Sequence, residues 1–371
     1  MKRIELGVFL VAGMLILHGA GSECLAAAGR AQNPQDPQAW LCGNGVCDPD
    51  ETRQSCRQDC TLLKKLVRRL SGETGLDFPE QPSQQPGDYA LSLPHDGLTR
   101  TYKVHVPPSY RAGTPAPLVL YIHGGAGNAR AAYIDGMAKE ADKFGFILAA
   151  PEATRAEKRG DPPTGWNGGA WAGGQCCGSA DDVGFIAQMI QELEHTFAID
   201  ARRIYATGIS NGGLMTNRLA CELSETIAAV ATVAPAGLIQ SCRPARAIPV
   251  MDIHGTGDRC NPFEGGVPPL RACANVDYRR MSPHKMVSAW RAILGCSAEA
   301  IPAYEQGAAS CVSYRQCQRG GEVEFCQVEG MGHVWPSGSQ YVSPRLVGPV
   351  SYDISFDQIW DFFQRHPLKQ E

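Results

Sequence analysis

The chain of 371 residues lacks any marked excess of charge: 34 Lys and Arg stand against 38 Asp and Glu, a net of −4 at neutral pH. Nucleic-acid binding draws on a concentrated basic face, so that class of function is set aside. Also missing is an apolar run of the roughly 20 residues that cross a bilayer. The strongest such run, residues 6–17, is too short. No internal repeat is visible, which leaves out stacked-repeat architectures. Charged residues are sparse at 19%, while hydrophobic residues make up 43%, enough for a sizeable buried core.

What is present begins with an export signal. Lys2 and Arg3 precede the apolar run, and small residues ending in Ala26, Ala27 and Ala28 supply an A-x-A cleavage site. A signal peptide over 1–28 and a secreted or periplasmic product are expected. Cys24 follows Ser22-Glu23, an acid where a lipid-attachment signal wants a small residue. No lipid anchor and no stable membrane association are therefore expected. Export changes how the 15 cysteines read: without Cys24 an even set is left, most simply a set of disulfides.

Cys42, Cys47, Cys56 and Cys60 lie in CGNGVCDPDETRQSCRQDC, residues 42–60. In an exported chain their C-x4-C and C-x3-C spacing favours two disulfides over a zinc thiolate site. Asp48, Asp50, Glu51 and Asp59 leave two readings open. They could gather around calcium, a hard cation preferring oxygen, or they could keep a coreless segment soluble. LLKKLVRRL then places Leu62, Leu63, Leu66, Val67 and Leu70 at helical spacing, and the Pro/Gln-rich FPEQPSQQPGDY reads as a linker. Residues 61–89 are thus helix and linker, and one large domain follows over 90–371.

Within that domain apolar, strand-like runs alternate with helical patterns. YKVHV, PLVLYIHG, GFILAAPEA, RRIYATGIS, AAVATVAPAG, IPVMDIHGTGD and EVEFCQVEG read as strands. Helices are predicted over 131–144, 181–196, 212–224, 283–294 and 354–365. Near-continuous apolar strands are expected of a mostly parallel sheet covered by helices on both faces. That is an α/β fold, with its active site at the carboxyl ends of the strands.

Those strand ends carry the chemistry. Gly208-Ile209-Ser210-Asn211-Gly212 is a G-x-S-x-G between a strand and a helix, a turn that lifts a serine hydroxyl off the sheet. Such a hydroxyl needs a base and a group to orient that base. Asp258 follows IPVMDIHGTG and His333 follows VEFCQVEGMG, in the chain order serine, acid, histidine of α/β-hydrolases. Asp252 and Glu264 compete for the acid, and His254 and His123 for the base; His284 and His366 read as surface helix positions. For the oxyanion, the main-chain N–H of Asn211 and a second donor from His123-Gly124-Gly125, at Gly124 or Gly125, are candidates. Trp166, Asn167, Trp171 and Trp335 lie on loops that overhang the site. Their aromatics suit a sugar face or a phenolic acyl group, and buried packing is the equal alternative. Asp181-Asp182 are expected to cap the helix that follows. Adjacent Cys176 and Cys177 have Cys221 and Cys242 as candidate partners.

The set YIHGG, WN, DDVGFI, GISNGGLM, RLACE, HGTGD and GMGHVWP resembles the secreted esterases of carbohydrate esterase family 1. These are feruloyl and acetyl-xylan esterases, grouped with polyhydroxybutyrate depolymerase-like enzymes. The resemblance covers roughly residues 90–367. It implies an α/β-hydrolase with Ser210 as nucleophile, Asp258 as acid and His333 as base, and no metal or organic cofactor. It also implies a polysaccharide-linked or polymeric ester as substrate; a monomer is expected. Plant cell-wall esters and polyesters both stay open, since the two groups share fold and motifs. A non-catalytic binding protein is disfavoured, because nucleophile, acid, base and oxyanion segments are all present. The module at 42–60 resembles short C-G-N-G-x-C…C-x-x-D-C units of secreted bacterial proteins, with Arg53 standing where many of those carry a further cysteine.

Overall fold

The computed structural model describes residues 84–155, 164–171, 174–176, 179–238, 241–270, 273 and 279–369. The chain divides into two units, 1–74 and 75–371. The first lies wholly outside the described residues, as do the expected signal peptide, the module at 42–60 with its candidate calcium ligands, and residues 61–83 of the expected helix and linker.

The second unit opens with a hairpin of β1 (Gly87–His95) and β2 (Leu98–Val106). From β3 (Ala116–Ile122) the chain passes through α1 (Ala131–Ile134) and α2 (Met137–Phe144) to β4 (Ile147–Pro151). A small hairpin, β5 (Gly169–Trp171) and β6 (Gly174–Cys176), precedes α3 (Asp182–Thr196). Next come β7 (Ile199–Ile209), α4 (Asn211–Glu222), β8 (Ala229–Val233), β9 (Val250–Gly255) and α5 (Pro283–Leu294). A hairpin of β10 (Ile301–Gln306) and β11 (Ala309–Tyr314) leads to β12 (Val323–Val328), α6 (Pro344–Val347) and α7 (Phe356–Gln364).

Ten strands form one sheet in the order β1-β2-β4-β3-β7-β8-β9-β12-β11-β10. From β4 to β12 all neighbours are parallel, and an antiparallel pair closes each edge. β3, β4, β8 and β9 are buried along their whole length, which is why they read as unbroken apolar runs. Their side chains still alternate between two cores. Leu118, Leu120 and Ile122 meet Phe185, Met189, Met215, Leu219 and Trp290 from α3, α4 and α5. Val119 and Tyr121 face Met137, Ala141, Ile359, Trp360 and Phe363 from α2 and α7. This is the α/β-hydrolase architecture. From β3 the chain turns to one side, to β4, and from β7 to the other, so a crevice opens between β3 and β7 at the carboxyl ends.

Several boundaries differ from the sequence expectation. β1 begins at Gly87, inside the expected linker, and its alternation buries Tyr89, Leu91 and Leu93. β10 and β11 carry no strong strand signal in the sequence, because β10 buries almost nothing and β11 alternates small residues. The helix predicted over 131–144 breaks in two at Gly136, whose left-handed φ of 85° ends any helical run.

Asp181 caps α3 as expected, its carboxylate accepting from the Gly184 N–H at 3.0 Å. Asp182 does something else. Fully buried, it accepts from Arg100 Nη2 at 2.6 Å and from the Asn167 N–H at 2.7 Å. Arg100 is itself 4% exposed and lies over the Phe185 ring. Burial raises the Asp182 pKa and the adjacent guanidinium opposes that shift. Arg100→Ala strands a buried carboxylate and is expected to cost about 3–5 kcal/mol. Urea unfolding would register this as a lower midpoint at unchanged slope, and an unmoved midpoint would refute it.

Candidate active site

Ser210 sits at the tip of the turn from β7 into α4 with φ 60° and ψ −120°. A non-glycine residue in that region carries about 1–3 kcal/mol of strain, held in place by its surroundings. The flanking glycines explain how. A Cβ on Gly208 would stand 2.6 Å from Ile122 O, and one on Gly212 would stand 2.0 Å from Ile122 O and 2.4 Å from His123 O. The end of β3 thus presses directly on the elbow, and only hydrogen side chains fit. The Ser210 N–H donates to Val233 O at the end of β8, at 2.9 Å.

The acid and base loops interlock by main chain. Gly257 N–H donates to Met331 O at 3.0 Å, and a Cβ on Gly255 would lie 2.0 Å from that same oxygen. His333 N–H in turn donates to Val347 O. The result is that His333 Nδ1 donates to Asp258 Oδ2 at 2.7 Å, with the carboxylate fully buried and the imidazole 12% exposed. Asp258 Oδ1 accepts from the N–H groups of Cys260 and Asn261, both at 2.7 Å. With Nδ1 as donor, the neutral imidazole keeps Nε2 as a proton acceptor. Among the described residues no hydrogen bond joins Ser210 to His333 in this conformation.

The competitors fall elsewhere. Asp252 is buried against Thr232 Oγ1 at 2.7 Å, and burial pushes its pKa up to about 7. Glu264 is exposed. His254 is buried with Nε2–H donating to Asn261 O at 2.8 Å. Its approach to Asp258 at 3.6 Å is not an ion pair, because burial lowers its pKa and keeps the ring neutral.

His123 is fully buried, and burial pushes its pKa down to about 4. Nδ1–H donates to Gly124 O at 2.8 Å, while Nε2 accepts from the Ala153 N–H at 3.1 Å, so a single neutral tautomer satisfies both. Trp166 Nε1–H holds the preceding carbonyl, His123 O, at 2.9 Å. In a trans peptide the N–H points opposite to the C=O. With both carbonyls held inside the protein, the N–H groups of Gly124 and Gly125 are turned the other way. Gly124 lies against the elbow, where a Cβ would meet Ser210 Cβ at 3.4 Å.

The family described as Esterase PHB depolymerase matches residues 100–286, a span that includes Ser210 and Asp258. The chain belongs to this family. It is similar to feruloyl esterase B of Piromyces equi, 30% identical over 63% of this chain and 42% of that one. The putative esterase NocK of Nocardia uniformis subsp. tsuyamanensis is 32% identical over 70% of this chain and 77% of its own length. A probable feruloyl esterase C of Aspergillus flavus is 32% identical over 56% of this chain and 70% of that one. The chain thus spans less than half of the Piromyces equi protein and most of the other two.

Three of the expected substrate-binding side chains prove to be framework. Trp166 is fully buried; besides holding His123 O, its main chain exchanges hydrogen bonds with the Asn211 side chain at 2.7 and 3.2 Å. It braces the loop after β3 against α4 and has no surface to offer a substrate. Asn167 spends its N–H on Asp182, its amide N–H on Ala180 O and its side-chain oxygen on Gly169. Trp335 is 2% exposed and packs edge-on against Tyr121 with ring centroids 5.1 Å apart, anchoring the His333 loop to β3. The Trp171 side chain and Cys177 lie outside the described residues. Cys221 and Cys242 bond to each other and not to Cys176 or Cys177, and Cys260–Cys273, Cys296–Cys317 and Cys311–Cys326 are also paired. Four disulfides among the described residues fit an oxidising compartment. No helix among the described residues is long and apolar enough to cross a membrane.

The sequence reading left His123 without a defined task and passed over Asn261. The signal for His123 was its place directly before the paired glycines. Asn261 had none beyond closeness to Asp258.

Proposed function

We propose that the chain is an exported serine hydrolase of carboxylic esters that removes feruloyl or acetyl groups from plant cell-wall polysaccharide. The observation that carries the reading is the strained elbow at Ser210 on the same strand-end surface as the 2.7 Å bond between Asp258 and His333. In the proposed reaction Ser210 Oγ attacks the ester carbonyl as its proton passes to His333 Nε2. Asp258 holds the imidazole and stabilises its cation. The N–H groups of Asn211 and of Gly124 or Gly125 receive the oxyanion. The imidazolium then protonates the leaving alcohol. His333 next takes a proton from water, whose oxygen attacks the acyl-enzyme; as the acid leaves, the imidazolium returns that proton to Ser210 Oγ.

The names of the feruloyl esterase relatives support a feruloyl ester as substrate; action outside the cell and as a monomer is part of the proposal. A second reading, cleavage of polyhydroxybutyrate, is favoured by the family match over residues 100–286. The two separate on a panel of arabinoxylan, acetylated xylan and polyhydroxybutyrate, with released ferulate, acetate and hydroxybutyrate measured. Ferulate or acetate is expected to lead; hydroxybutyrate alone would reverse the order. A fluorophosphonate probe is expected to label Ser210 and no other serine.

A further inference from the structure

We propose that Asn261 is a positioning residue that sets the Asp258 carboxylate in register with the nucleophile elbow. This rests on Ser210, Asp258 and His333 acting together as proposed above. Asn261 is 3% exposed, and its polar groups reach four residues. Its N–H donates to Asp258 Oδ1 at 2.7 Å, and its carbonyl accepts from His254 Nε2 at 2.8 Å. Its side-chain Nδ2 donates to Ala234 O at 2.7 Å, while Oδ1 accepts from Arg280 Nε at 2.7 Å. The main-chain group that touches the carboxylate is therefore held by the side chain behind it.

The Ala234 contact gives the arrangement its meaning. Ala234 directly follows Val233, whose carbonyl receives the Ser210 N–H. Its own N–H donates to Ile253 O on β9 at 2.9 Å, and its φ of 45° is one that alanine rarely adopts. One side chain thus ties the peptide beside the elbow's anchor to the loop that carries the acid. A leucine of equal size would satisfy neither partner. An aspartate would keep the Arg280 contact and set an oxygen against Ala234 O. At this size an amide is the side chain that offers a donor and an acceptor in one plane. Buried networks satisfied in this way select a single geometry, and an error of about 1 Å in such a geometry can cost on the order of 100-fold in rate.

The test uses the full chain with Asn261→Ala and Asn261→Asp, and with Arg280→Gln, which removes the guanidinium contacts to Asn261 Oδ1 and Cys273 O while keeping Asn261. Competent sites are counted by fluorophosphonate titration, and p-nitrophenyl acetate turnover is expressed per titrated site. The proposal expects kcat per site to fall about 10- to 100-fold in the Asn261 variants, with KM changed by less than about twofold. Arg280→Gln should show the same split with a smaller loss. The low-field proton resonance of the His333–Asp258 hydrogen bond should move or broaden in all three. If kcat per titrated site stays at the parent value while only the number of titratable sites drops, Asn261 is merely structural and the proposal is wrong. If the parent chain itself is not labelled at Ser210, the triad reading has failed, a result distinct from loss in the variants alone.

Discussion

Ser210→Ala is expected to lower kcat on p-nitrophenyl acetate by about 10⁵- to 10⁶-fold. The size follows from what is removed: without Oγ no acyl-enzyme forms, and only binding and oxyanion donors are left to favour direct attack by water. The fold should survive. The elbow is shaped by contacts of Gly208 and Gly212 with the end of β3 and by the Ser210 N–H on Val233 O, none of which needs the hydroxyl. Alanine inherits the same φ of 60° at a similar cost in strain. A circular-dichroism melt matching the parent, together with lost turnover and lost fluorophosphonate labelling, is the expected result. Turnover within tenfold of the parent would remove Ser210 from the mechanism.

Asp258→Asn is expected to cost about 10⁴-fold in kcat, for a reason visible in the hydrogen bonds. The N–H groups of Cys260 and Asn261 both point at one side-chain oxygen, so an amide here must place its oxygen on them. Its NH₂ group then faces His333 Nδ1, which must become an acceptor. The neutral ring is forced to carry its proton on Nε2, the atom that would otherwise take the serine proton. Volume and packing are almost unchanged, so the melting temperature should stay near the parent's while kcat collapses. A variant that keeps more than about a tenth of parent activity would show that Asp258 does not set the tautomer.

Much of the fold was legible because parallel strands covered on both faces are continuous apolar runs, and β3, β7, β8, β9 and β12 were all read from theirs. α5 was read to the residue, since its N-cap Ser282, Pro283 at the first turn and Gly295 at its end are local signals. The edge strands were not legible. β10 buries almost nothing, and the alternation of β1 over Tyr89, Leu91 and Leu93 starts inside a Pro/Gln-rich stretch that reads as linker. Ser210, Asp258 and His333 were visible as residues at strand ends in a fixed order.

The aromatics divide the two levels of information. Trp166 and Trp335 have the same loop context as a ligand wall would, and nothing local distinguishes a ring that faces solvent from one that faces the core. Their burial depends on Asn211, His123 and Tyr121, which lie 45, 43 and 214 positions away in the chain. The same holds for the Cys221–Cys242 bond and for Asn261, whose partners come from β8, β9 and the segment before α5. Local chemistry, meaning apolar periodicity, helix caps and glycines at a tight turn, acts within a few residues and is written in the chain order. Which polar group meets which across the sheet is decided by strand order, and strand order is a property of the packed whole.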